Sequence, residues 1–312
     1  MNYELLVIGN GREAIDGALA AARRAELVAL VRTVGIDHGG ITIDALRRAA
    51  SSHSGAGPFR MSELRGAATR MAGEQWLADR AKLGSLNVDV FCGGVRFAGE
   101  RTVEVIDRAT EVGDRIDSSS SRQTLTARRI VLACGTRSAR PSHVRFDSRR
   151  ILDVESLLML DELPRSMIVV GAGETGLDYA MLVGSLGVDV TVIDEKANVF
   201  DVYGGLMNDQ RLCEMQSLDI AFRLGDEMIG VETRGDDSVA VRLASGKVFI
   251  AQTALVCVGR VGETESLNLE AAGVGVDERG RVWCDAKGGT WASHITAVGN
   301  IVGFRAASSL AG

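Results

Sequence analysis

The chain has 312 residues, 46% hydrophobic and 24% charged, with a formal net charge of −6. That composition excludes disorder for most of the chain, and the acidic balance argues against the basic footprint of a nucleic-acid binder. Glycine is frequent at 37 residues and proline scarce at 3, which suits an α/β protein whose strand-to-helix turns need glycine's backbone freedom.

At roughly 150 residues per domain, the length predicts about two domains. Leu5–Ile8 is an unbroken apolar run beside a glycine turn, the pattern of a buried parallel strand. An alanine-rich helix over Glu13–Arg24 and an apolar strand over Leu27–Val31 complete a βαβ unit. The turn reads Gly9-Asn10-Gly11-Arg12-Glu13-Ala14, a dinucleotide motif with alanine in the third place. Arg32 ends the second strand, where a ribose-binding acid is expected. A guanidinium has no acceptor, so Arg32 cannot clamp a ribose diol as a carboxylate does, and is expected to meet a 2′-phosphate or solvent. A longer helix is expected over Met61–Lys82, then short strands over Val88–Phe91, Thr102–Ile106 and Arg129–Cys134. Ser118–Ser121 reads as a solvated loop tip.

The pattern then restarts, with a strand over Met167–Val170, a helix over Glu174–Leu186 and a strand over Asp189–Ile193. The turn between the first two is Gly171-Ala172-Gly173-Glu174-Thr175-Gly176. Its first glycine allows the tight turn and its second lets a pyrophosphate approach the backbone. Its third lets helix and strand pack closely, with the phosphate over the helix N-terminus. Asp194, at the end of the next strand, is placed to accept hydrogen bonds from an adenosine ribose. No arginine follows closely to favour a 2′-phosphate, so NAD is favoured over NADP. Helical character around Leu206–Met215 precedes β-rich segments over Ile220–Val258. Further strands follow around Val282 and Ile295–Val298, and then a helix start.

Cys92, Cys134, Cys213, Cys257 and Cys284 are scattered, with no CxxC and no Cys/His metal spacing. They read as reduced thiols, and no metal site is expected. His38, His53, His143 and His294 lack metal partners, and His38, beside Gly39-Gly40, is expected in an exposed loop. With neither a signal-peptide pattern nor an apolar run of membrane length, a soluble, cytoplasmic protein is expected.

Taken together, these motifs resemble the pyridine nucleotide-disulfide oxidoreductases, flavoproteins whose FAD domain is interrupted by an NAD(P) domain. Ile130-Val131-Leu132-Ala133-Cys134-Gly135-Thr136-Arg137 is similar to the family's ATG-type turn. Gly259-Arg260 and its sequel resemble the GRxPN segment, and Ile295-Thr296-Ala297-Val298-Gly299-Asn300 resembles the late flavin-binding segment. Within the family, ACGTR, RRILDVESLL and GRVGETESL are most similar to the soluble pyridine nucleotide transhydrogenases, which move hydride between NADH and NADPH through FAD. The resemblance implies an α/β fold with two nested, three-layer Rossmann-like domains. The FAD-type domain would span 1–147 and 267–312, and the NAD(P)-type domain 148–266. It implies FAD at Gly9, Gly11, Ala14, Arg32, Gly135 and Asn300, held mostly by backbone amides at Gly9–Ala14 and around Gly299. NAD, or NADP, would lie at Gly171, Gly173, Gly176 and Asp194, with Gly259 among the cofactor-binding glycines.

Several positions depart from the family pattern. The redox-cysteine loop should follow Gly39-Gly40, but Ala45-Leu46-Arg47-Arg48-Ala49 matches the helix after that loop. No disulfide chemistry is therefore expected. By the same alignment, the family's lysine near flavin N5 falls on Asp44 and its glutamate partner on Asp178. These two carboxylates are expected to repel and to raise one another's pKa, as an acid–base pair would. Glu174 falls at the gate over the nicotinamide, and Asn300 replaces the late aspartate. The family's C-terminal dimerisation domain would begin where the sequence stops at Gly312, so the family's usual dimer is not expected from these residues. The expected activity is hydride transfer from NAD(P)H to flavin and on to an unidentified small molecule. The alternative is a degenerate homologue in a non-redox role such as cyclisation, isomerisation or simple binding. Neither nucleic acid nor membrane is expected as a partner.

Overall fold

A computed structural model describes residues 1–33, 41–52, 60–107, 122–198, 209–235 and 237–305. His38, Gly39, Gly40, His53 and Ser118–Ser121 lie outside the described residues. The chain opens with β1 (Asn2–Gly9), α1 (Arg12–Ala22) and β2 (Val28–Thr33). α2 (Ile43–Ser51) is capped by Thr42, whose Oγ1 accepts the Ala45 N–H at 3.2 Å. Then come α3 (Met61–Ser85), β3 (Asp89–Gly99), β4 (Thr102–Asp107), β5 (Arg122–Ala133) and β6 (Thr136–Ser138).

β3 and β5 are much longer than the sequence predicts, because each serves two partners. β3 pairs parallel with β2 through Gly93 and antiparallel with β4 from Gly93 onward. β5 pairs with β4 over Arg122–Thr126 and with β1 over Thr126–Ala133.

The second half runs β7 (Ile151–Leu152), α4 (Val154–Met159), β8 (Ser166–Val170), α5 (Glu174–Ser185) and β9 (Asp189–Asp194). It continues through α6 (Asp209–Ser217), β10 (Ala221–Leu224), β11 (Met228–Arg234), β12 (Ser238–Leu243), β13 (Val248–Ala251) and β14 (Thr253–Val256). β15 (Arg260–Gly262), β16 (Val282–Cys284), β17 (Ile295–Ala297) and β18 (Val302–Arg305) follow. A single 3-10 turn over Gly299–Ile301 leads into β18, whose Val302 pairs with Val282 of β16, and the residues beyond Arg305, where the expected helix start would follow, lie outside the described residues.

Two compact units result. The first comprises Met1–Gly40, Gly73–Arg137 and Val261–Gly312. Its central strand β1 is flanked by β2 and β5, and β17 adds to β5. Leu5 and Val7 of β1 face Ala14, Ala18 and Leu83, while Leu6 and Ile8 face Phe97, Leu125 and Leu267. Both faces are covered, as the unbroken apolar run demands.

The second unit comprises Ile41–Ala72 and Ser138–Arg260. Its parallel sheet has the order β10-β9-β8-β14-β7. Met167 and Val169 pack towards α5, while Ile168 and Val170 pack against Val239 and Val241 of the antiparallel β11-β12-β13 sheet. The units divide at 137/138 and 260/261, where the sequence reading divides the domains at 147/148 and 266/267. Residues 41–72, expected in the first domain, belong to the second unit. The reason is apolar: Leu46 of α2 and Met61, Leu64 and Ala68 of α3 share a core with Leu177, Ala180 and Met181 of α5.

Candidate functional site

In the second unit the turn from β8 to α5 is built around close backbone approach. Gly171 has φ +105°, and a Cβ there would lie 2.4 Å from the Cys257 carbonyl oxygen. A Cβ on Gly176 would lie 1.9 Å from the Gly171 oxygen, so helix and strand meet at a distance only glycine permits. Gly173 is the N-cap of α5 and makes no side-chain cap hydrogen bond. Gly173 and Glu174 at this helix N-terminus line a cavity, where the helix dipole favours an anionic ligand.

Asp194 ends β9 beside this turn. Its Oδ2 accepts the Ala172 N–H at 2.6 Å, and its Oδ1 accepts the Lys196 N–H at 2.8 Å. The carboxylate therefore fixes the glycine turn and keeps lone pairs for a ribose. A cavity of about 510 Å³ opens here, with Gly171, Gly173, Glu174, Asp194, Lys196 and Gly259 in its wall. These residues fit an adenine dinucleotide. Behind them burial pushes the Cys257 thiol up to about 12, with the nearby Glu155 carboxylate adding to the shift.

The expected pair of carboxylates resolves differently. Asp178, buried in α5, is held by Arg47 of α2, whose Nη2 donates to Oδ1 at 2.8 Å. Asp44 is exposed in the first turn of α2. Arg47, one helical turn beyond Asp44 on α2, is the cation that meets the carboxylate. Glu174 is the first residue of α5 and is exposed at the cavity.

In the first unit the turn from β1 to α1 repeats the construction. Gly9 has φ +152°, and a Cβ there would lie 2.0 Å from the Ala133 oxygen. Gly11 is the N-cap of α1, again with no side-chain cap bond, and Ala14 is fully buried against the sheet. Asn10 Oδ1 and Thr33 Oγ1, at the ends of β1 and β2, are buried without a hydrogen-bond partner among the described residues. Unmatched acceptors and hydroxyls at that edge fit the adenosine end of a dinucleotide. Arg32 lies over the Trp76 ring, 3.7 Å from its centroid. Gly135 follows β5 with φ +76°, and Asn300 is exposed beside Gly299, whose φ is +74°.

One residue cuts across this cradle. Cβ atoms placed on Gly11 and Gly299 would lie 2.9 Å from Glu13 Oε2 and 3.3 Å from Glu13 Oε1. Arg12, beside it, is turned away to Asp16 at 2.5 Å and Asp79 at 2.8 Å. Sequence reasoning passes over the charge of Glu13; the signal for it is an acid at a phosphate turn. Arg47 and Trp76 are missed because their partners, Asp178 and Arg32, are remote in sequence. No group of histidines, cysteines and carboxylates among the described residues could hold a metal ion, and no helix among them could cross a membrane.

The family model for pyridine nucleotide-disulphide oxidoreductases matches residues 3–310. The soluble pyridine nucleotide transhydrogenase of Mycobacterium tuberculosis (strain ATCC 25177 / H37Ra) is 34% identical over 326 residues, covering 97% of this chain and 67% of that protein. Its counterpart from Pseudomonas aeruginosa (strain LESB58) is 29% identical over 328 residues, covering 99% of this chain and 68% of that protein. Among solved structures, the HOCl-induced flavoprotein disulfide reductase RclA from Escherichia coli superposes with a TM-score of 0.73 at 20% identity, covering 97% of this chain and 67% of that one. LpdA from Mycobacterium tuberculosis superposes with a TM-score of 0.74 at 23% identity, covering 96% and 68%. At these identities the structures share the fold.

Proposed function

The chain belongs to the pyridine nucleotide-disulphide oxidoreductase family, NAD(P)H-dependent flavin oxidoreductases with FAD and NAD(P) as cofactors, and on that premise we propose that it passes hydride from NAD(P)H to FAD and on to a small acceptor. In this reading the first unit is the FAD-type domain and the second, which interrupts it in sequence, the NAD(P)-type domain. When bound, FAD would supply a hydride-accepting centre, which no side chain offers. The protein's own residues bind and orient. Gly171, Gly173 and Gly176 bring the backbone to the nicotinamide dinucleotide's phosphates, Asp194 takes its ribose, and Glu174 stands at the mouth of the cavity. Asn10 and Thr33 receive the flavin dinucleotide at the adenosine end of the first unit.

The observation that carries the proposal is Asp194, which locks the glycine turn through the Ala172 amide while lining the cavity. Disulfide reduction is left out of the proposal, because the sequence contains no CxxxxC pair. Asp194 supports NADH as the donor, since a carboxylate repels a 2′-phosphate. The test is reconstitution of the full chain with FAD and anaerobic addition of NADH. Loss of the flavin absorbance band supports the proposal. Bound flavin that NADH leaves oxidised would move the protein to a non-redox role.

A further inference from the structure

The flavin cradle of the first unit contains a charge of its own. Its two glycine turns, at Gly11 and Gly299, are where the sequence reading has backbone amides receive the flavin phosphates. The Glu13 carboxylate lies against both, one oxygen towards each. The neighbouring cation does not neutralise it, because Arg12 is committed to Asp16 and Asp79. Asn300, close by in the second turn, brings no positive charge either. A diphosphate entering this cradle meets a like charge at contact distance and must displace it.

We propose that Glu13 is a built-in competitor for the flavin phosphates, so that FAD binds this chain as an exchangeable ligand rather than a resident group. The inference rests on the reading that the first unit takes FAD. Glu13 is exposed in the first turn of α1, so its side chain can swing into solvent when the dinucleotide enters. The turn itself need not change. Removing the carboxylate then tightens binding through two separable contributions, charge and bulk.

The experiment is an FAD titration of the full chain, read by quenching of flavin fluorescence. Wild type, Glu13→Gln, Glu13→Gly and the exposed-acid control Glu100→Gln are compared. Glu13→Gln should lower the FAD Kd at least about tenfold, the modest end of a like-charge contact. Glu13→Gly should lower it further, and Glu100→Gln should leave it unchanged. Wild type should release its flavin on dialysis. Equal Kd values for wild type and both Glu13 variants would overturn the proposal while leaving the FAD reading intact. Wild type that retains stoichiometric flavin through dialysis would overturn it too. If neither wild type nor the Glu13 variants take up FAD, the FAD reading of the unit fails, and the inference fails with it.

Discussion

Arg47 and Asp178 form an ion pair that joins α2 to α5, with Nη2 2.8 Å from Oδ1 and the carboxylate buried. By the family resemblance the carboxylate's partner should be a lysine at position 44, yet Asp44 stands there. The cation that reaches this carboxylate is Arg47, one helical turn further along α2. The pair secures the segment 41–72 to the second unit, where its apolar residues already pack. Arg47→Ala should therefore cost about 1–3 kcal/mol, because the buried acid loses its charged donor. Arg47→Met combined with Asp178→Leu should recover most of that loss, since no uncompensated charge remains. Urea unfolding of the three proteins checks both statements. A single variant as stable as wild type would show that the pair contributes nothing.

How far the sequence discloses this arrangement depends on the range of the interaction. Both βαβ units and both glycine turns are legible because turn chemistry and apolar runs are local. β3 is legible only in part, because Gly93-Gly94 interrupts the alternation that would mark one long strand. Its extension depends on pairing with β4, a tertiary fact. The placement of residues 41–72 escapes for the same reason. Leu46, Met61 and Leu64 are apolar enough for either domain, and only the packing decides. Glu13 is visible in the motif, but its effect arises from Gly299, at the far end of the chain.

The Asp194 carboxylate accepts two backbone N–H groups, and an asparagine side chain offers only one acceptor oxygen for them. Asp194→Asn must therefore leave one amide unmatched or turn an NH₂ towards a donor. NADH affinity should fall about tenfold to a hundredfold, the range for hydrogen bonds to a charged group. NADPH affinity should fall less, because the lost charge had also repelled the 2′-phosphate. Calorimetric titration with both nucleotides gives the comparison. Unchanged NADH binding would remove Asp194 from the site.

Glycines that look alike in sequence should respond oppositely to alanine. A Cβ on Gly176 would sit 1.9 Å from the Gly171 oxygen, and backbone atoms cannot yield as a side-chain tip can. Gly176→Ala should cost about 1–3 kcal/mol by forcing α5 from β8, and should weaken NADH binding in parallel. Gly17, in the middle of α1, has nothing within 4 Å of the place a Cβ would take. Gly17→Ala should stabilise the protein by about 0.5–1 kcal/mol through helix propensity alone. Thermal unfolding of the pair decides; two shifts of the same sign would contradict the contact geometry.

The thiols of Cys134 and Cys257 make alkaline stability a test of the fold. Burial pushes Cys134 and Cys257 from 9.0 up to about 12, so both remain protonated in the folded protein well above neutral pH. Once unfolded, each ionises near 9. Below that pH neither thiol alters stability, because both states hold the proton. As pH rises from about 9 towards 12 the unfolded chain releases protons that the fold retains, so unfolding becomes easier. Each thiol contributes a slope of up to about 1.4 kcal/mol per pH unit. Tyr3, raised from 10.0 to about 12 by burial and by its hydrogen bond to Asp89, joins above pH 10. Urea midpoints should fall across this window, and Cys134→Ala with Cys257→Ala should flatten the fall. Alkylation at pH 8 gives the independent readout: exposed Cys213 should react in the native protein, Cys257, half-buried in the cavity wall, more slowly, and buried Cys134 should wait for denaturant. If either reacts as fast as Cys213 without denaturant, its thiol is not enclosed and the alkaline argument fails for that site.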